Sequence, residues 1–131
     1  LARAYADAGV SPLSVELIEA HGTATPVGDA TEVAALGEFR GAPGTRPTFL
    51  TSSKANIGHS MSAAGIAGLI RASLSLRRRT LTPHAGYAET RDELRLAEFG
   101  FDIPRTVHAW DDPGAHPRRA GVNSFGFGGT N

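Results

Sequence analysis

Apolar positions along the chain fall into short blocks separated by turn-forming residues. Residues 2–8 suit a short helix that Gly9 ends. Val15, Leu17 and Ile18, interrupted only by glutamates, predict a strand over 15–19 that is not half-exposed. Asp29 then stands as an N-cap with Glu32 in capping-box position, and Val33, Leu36 and Phe39 continue a helical face that stops near Gly41. The turn-rich run GAPGTRP leads into a second strand at 48–52. From Ile57 to Arg79 the chain is helical by propensity after its first glycine, Gly58, with an apolar face too wide for a surface helix, which predicts a buried one. Small residues in AAGIAG would let another backbone approach it closely, and Arg77 to Arg79 complement its negative end as a solvated cluster. Beyond Thr80 four prolines leave loops, short strands and a helical turn at 91–96. A last strand at 120–124 feeds a glycine-rich loop. Strands alternating with helices predict an α/β layer architecture with covered sheet faces. The loops carrying His21, residues 53–59 and residues 124–131 each follow a strand, so they should gather at one edge of the sheet.

A length of 131 residues suits one domain with one sizeable core. Thirteen basic and thirteen acidic residues balance, and aromatics make up only 7%, so no whole-chain field favours nucleic acid or an anionic membrane. The weakly polar stretch from Ser60 to Leu76 carries Arg71 and several serines and falls short of a membrane span. A cytoplasmic protein is expected. There is no cysteine, which removes disulfides, thiolate metal sites and cysteine nucleophiles together. A first residue that is leucine and a last one inside a loop-like run suggest an excised piece of something longer.

Five histidines show no HExxH, no i, i+4 pair and no short ligand spacing, so no metal site is expected. Phosphate-cradling motifs are absent, and Ser124 in VNSFG lacks the glycine that a nucleophile elbow needs. What remains is His21 in IEAHGTATPVGD and His59 in SSKANIGHSMSAAG, with Lys54 between them. A neutral imidazole near a helix N-terminus can donate its N–H to a developing oxyanion while the helix dipole disfavours its cation. Lys54 would help to hold both rings neutral and would itself need a carboxylate partner, for which Glu32 is the candidate. Taken singly, each histidine reads more readily as a hydrogen-bonding turn residue.

Three segments, EAHGTATPVGDATEVAAL, SSKANIGHSMSAAGIAGLI and RRAGVNSFGFGGTN, in this order and spacing, resemble the signatures of the C-terminal half of β-ketoacyl synthases, above all ketosynthases of type I polyketide synthases. The resemblance spans essentially the whole chain. It implies a thiolase-like layered α/β fold, of which this chain is the second half, with one mixed sheet covered by helices. It implies decarboxylative condensation of an acyl thioester with a malonyl-type unit on an acyl carrier protein, in polyketide or fatty acid biosynthesis. By motif, His21 and His59 match the two catalytic histidines, Lys54 the lysine that tunes the His59 site and Glu32 its acidic partner. Thr23 and Thr25 match threonines that bond the phosphopantetheine arm of the carrier, which is a substrate arm and not a bound cofactor. Phe127 matches the gating phenylalanine whose backbone N–H helps to form an oxyanion hole.

Two small departures occur, since Ala24 replaces the second glycine of HGTGT and Ala55 a serine. The first matters only if residue 24 needs a positive φ. The nucleophilic cysteine and the final strand belong to parts of the family pattern not found here, so the chain alone is expected to be inactive. Implied partners are the N-terminal half, the carrier protein and, for the intact domain, a second copy. A chain-length-factor-like or scaffold homologue is the non-catalytic alternative.

Overall fold

A computed structural model describes residues 1–126. Helix α1 (Ala2–Ala8) ends at Gly9 in the left-handed conformation, as the sequence predicts. Strand β1 (Leu17–Glu19) follows a 3-10 turn at Pro12–Ser14. Helix α2 (Pro26–Arg40) leads to β2 (Thr48–Thr51), and a four-residue helix α3 (Lys54–Ile57) precedes α4 (Ala64–Arg78). Strands β3 (Thr80–Leu81), β4 (Phe101–Asp102), β5 (His108–Ala109) and β6 (Ala120–Val122) complete the described chain. The helical turn expected at 91–96 is a 3-10 turn at Asp92–Leu94.

The main sheet runs β4-β2-β1-β6 with every pairing parallel, and β3 pairs with β5 antiparallel in a separate ribbon. The expected mixed sheet is therefore, among the described residues, a parallel sheet beside a small antiparallel one. All three residues of β1 are buried, because helices and loops cover both faces. Ile18 points into a core with Val33, Leu36 and Leu50, whereas Leu17 points to the other side, against Leu81 and Trp110.

Three other expectations change. The N-cap of α2 is Thr25, whose Oγ1 accepts from Gly28 N–H at 3.2 Å, with Pro26 at the first helical position. Asp29 lies inside the first turn. The helix expected after Gly58 is delayed by left-handed backbone at Met61 (φ 52°) and a 3-10 turn at Met61–Ala63, so that α4 begins only at Ala64. Nor is α4 buried all round. It packs on the sheet through Ala64, Gly68 and Ala72, while Ile66, Leu69, Ile70 and Leu74 remain 46–54% exposed. No helix among the described residues is long and apolar enough to cross a membrane.

Gly37 shows how tightly α2 is covered. A Cβ there would stand 2.2 Å from Phe99 Cδ1 and 2.3 Å from its Cγ. An exposed helical glycine gains about 1 kcal/mol when replaced by alanine. Gly37→Ala should instead destabilise the protein by about 1–3 kcal/mol, as overpacking does, and urea denaturation measures the sign.

Candidate active site

Because β1, β2 and β6 are parallel and adjacent, the loops after them leave from the same edge. The predicted gathering of three loops is thus observed for residues 20–25, 52–60 and 123–126. His21 follows β1 by two residues and His59 lies beyond α3. Their rings meet edge to face, 5.7 Å between centroids at 86°. Phe125, arriving from β6, sets its ring 5.1 Å from that of His21.

Backbone donors fix the tautomer of both imidazoles. Phe125 N–H donates to His21 Nδ1 at 3.3 Å, and Met61 N–H donates to His59 Nδ1 at 3.1 Å. Each Nδ1 must therefore keep its lone pair, so in the neutral ring the proton sits on Nε2, which has no hydrogen-bond partner among the described residues and can donate. Burial pushes the His21 pKa below the usual imidazole value, and the Lys54 charge adds to this. Glu32 opposes the shift and His59 reinforces it. Lys54 is itself lowered by burial against the pull of Glu19 and Glu32. The lysine's charge is thus felt at His21.

Glu32 does something the sequence did not suggest. Its Oε1 accepts from His21 N–H at 2.8 Å and from Asn123 Nδ2 at 2.9 Å, and its Oε2 accepts from Gly22 N–H at 2.9 Å. From a buried position on α2 it ties the β1 exit to the β6 exit. It is neither a capping-box residue nor in ion-pair contact with Lys54.

Thr23 lines an open cleft of about 420 Å³ with His21, Gly28, Asn123 and Phe125. Thr25 lies beside it, 3.4 Å from Thr23 Oγ1. As the cap, Thr25 Oγ1 accepts from Gly28 N–H, and either it or Thr23 Oγ1 can donate in the bond between the two hydroxyls. Phe127 lies outside the described residues. Among those described, no group of three or more metal-ligating side chains converges.

Ala24 has φ 61°, so the glycine it replaces in HGTGT stood where a left-handed backbone is required. Its N–H still reaches Asp29 Oδ1 at 3.2 Å. The left-handed region costs a side-chain-bearing residue about 1–2 kcal/mol. Less the extra entropy that glycine loses on folding, Ala24→Gly should stabilise by about 0.5–1 kcal/mol in a denaturation midpoint.

Sequence reasoning missed Phe125, Asn123 and Glu19. For the first two, a signal existed in the topology: Glu19 pairs with Val122 in register, so residues just past β6 must lie beside residues just past β1. Glu19 was visible as a glutamate inside a strand covered on both faces.

Residues 1–88 match the family model of the beta-ketoacyl synthase C-terminal domain, and the chain belongs to that family. It is a ketosynthase C-terminal segment of polyketide-synthase type. All of it aligns, at 41% identity over 133 residues, with 7% of a phenolphthiocerol/phthiocerol polyketide synthase of Mycobacterium tuberculosis. At 41% identity over 124 residues, 95% of it aligns with 6% of a mycocerosic acid synthase-like polyketide synthase of Mycolicibacterium smegmatis. Among solved structures it superposes on ketosynthase twelve of the bacillaene polyketide synthase of Bacillus amyloliquefaciens. There the TM-score is 0.87 and the identity 31%, over 95% of this chain and 22% of that one. The module 6 ketosynthase of the bacillaene synthase of Bacillus subtilis gives 0.85 and 30%, over 93% and 22%. The chain thus spans a small fraction of these curated relatives and less than a quarter of these solved ketosynthases.

Proposed function

We propose that this chain supplies the carbonyl-gripping half of a ketosynthase active site that carries out decarboxylative condensation on a malonyl-type thioester. The observation that carries it is the facing pair His21 and His59, each with Nδ1 occupied by a backbone N–H and Nε2–H left to donate. Loss of CO2 leaves the electrons of the broken C–C bond in an enolate, whose charge collects on the thioester oxygen. Two preorganised N–H donors aimed at that oxygen stabilise it far more than they stabilise the neutral carbonyl. The carbanion carbon then attacks an acyl thioester and expels its thiolate. That acyl group needs a nucleophile which this cysteine-free chain does not supply, so the N-terminal half of a ketosynthase is the partner we assign.

The exposed row Ile66, Leu69, Ile70 and Leu74 supports that pairing, since a contiguous apolar face flanked by a groove of about 830 Å³ marks an interaction surface. Thr23 and Thr25 would bond the phosphopantetheine arm of a carrier protein in the cleft beside His21. Phe127 would complete the oxyanion site by its motif match. A purely scaffolding homologue has no need for two imidazoles held in one tautomer.

The test is release of CO2 from a malonyl-carrier by the ketosynthase containing this segment, compared with its His21→Ala and His59→Ala variants. Both should be strongly impaired. Parental rates in both would overturn the assignment.

A further inference from the structure

The last ladder bond between β1 and β2 runs from Ala20 N–H to Thr51 O at 2.7 Å. Past it the two segments continue toward His21 and Lys54. What joins them there is side-chain chemistry, and its centre is Glu19, only 2% exposed. The Glu19 carboxylate points to the α4 side. It accepts from Thr51 Oγ1 at 2.8 Å on the neighbouring strand and from the Ser53 N–H at the start of α3. Arg71 of α4 closes the group, donating from Nη1 to Glu19 Oε2 at 3.3 Å. Its Nη2 reaches Thr82 Oγ1 at 3.0 Å and Pro83 O at 3.3 Å. Gly68 makes room, since a Cβ there would stand 2.9 Å from Glu19 Cγ.

A buried ion pair of this kind adds little stability relative to apolar residues of the same volume. Its geometry does something an apolar pair cannot. One carboxylate fixes the Ser53 backbone relative to a strand that ends two residues before His21, and Ser53 opens the segment carrying Lys54 and His59. We propose that Glu19, held by Arg71, is a positioning residue that sets the gap between the His21 loop and the Lys54–His59 loop. This rests on the proposed role of the two histidines. Both Nε2–H groups must meet one oxygen, and a displacement of about 1 Å in such a site costs up to about 100-fold in rate. An interaction that matters in the transition state lowers kcat and leaves KM alone.

The experiment uses the ketosynthase containing this segment and measures kcat and KM for malonyl-carrier decarboxylation beside thermal melting. In Glu19→Leu/Arg71→Met, melting should stay near the parental value while kcat falls about 10–100-fold at unchanged KM. Glu19→Asp keeps the charge but shortens the reach by one methylene, so it should show the same kcat loss even if the double variant fails to fold. Arg71→Lys, which keeps a cation for Glu19, should recover most of the rate. A kcat within twofold of the parent in Glu19→Asp, or a loss that merely follows melting across the set, would overturn the proposal. His59→Ala in the same assay separates the two levels. If His59→Ala is slow and Glu19→Asp is not, only the positioning role fails; if His59→Ala is unaffected, the histidine reading fails first.

Discussion

Replacing His21 by alanine should slow CO2 release from the malonyl-carrier by about 10²–10³-fold, the usual cost of deleting one preorganised oxyanion donor. The tautomer makes the expectation sharper. Since Phe125 N–H occupies Nδ1, the useful proton lies on Nε2, at the far side of the ring. A glutamine amide extends its N–H about as far as Nε2, and an asparagine amide reaches only about as far as Nδ1. His21→Gln should therefore recover part of the lost rate and His21→Asn none, with KM changing little in either. Equal rates in the two amide variants would mean that Nε2–H is not the donor. The pH profile carries the same logic. Protonation of Nδ1 sets two donors against each other at Phe125, so activity falls as the pH drops through the His21 pKa. That pKa is lowered by burial and by Lys54, so the acid limb should lie below the value of about 6.5 expected for a free imidazole. Lys54→Met removes a repulsion that opposes protonation and should move the acid limb upward.

Local pattern was enough for the elements that end abruptly. Gly9 and Gly41 stop α1 and α2 where turn chemistry says they should, and β1, β2 and β6 begin within two residues of their apolar runs. From strands that all run the same way, the convergence of three loops follows without knowledge of a side chain. The 57–79 segment defeated the same reasoning. Its alanines favour helix beyond Gly58, but Met61 takes left-handed backbone and a 3-10 turn precedes α4, which the residues' helix propensity does not show. Its width of apolar surface was legible, but not which part faces the sheet. Ala64, Gly68 and Ala72 allow close approach to β1 and β6, which turns the bulkier isoleucines and leucines outward. The tautomers could not be read at all. They depend on N–H groups donated by backbone, and backbone leaves no trace in the sequence.

Glu32 should prove the most sensitive single position for holding the site together. Its two oxygens accept from His21 N–H, Gly22 N–H and Asn123 Nδ2, all partly buried. Hydrogen bonds to a charged acceptor contribute about 1.5–3 kcal/mol each, and three sharing one carboxylate do not add fully. Glu32→Ala should therefore cost about 3–5 kcal/mol of stability, read by chemical denaturation of the intact domain, and should cripple decarboxylation as well. The informative variant is Glu32→Gln. An amide keeps one acceptor oxygen and turns an NH2 toward at least one of the three donors, so it cannot serve the clamp. It should lose more than half of what alanine loses. If Glu32 acted chiefly as the countercharge of Lys54, stability in Glu32→Gln would follow that in Lys54→Met, since either change removes the same attraction. The hydrogen bonds say otherwise: Lys54→Met should leave the denaturation midpoint close to parental while Glu32→Gln lowers it. Parental stability in Glu32→Gln would show that the carboxylate is not the tie between the β1 and β6 exits.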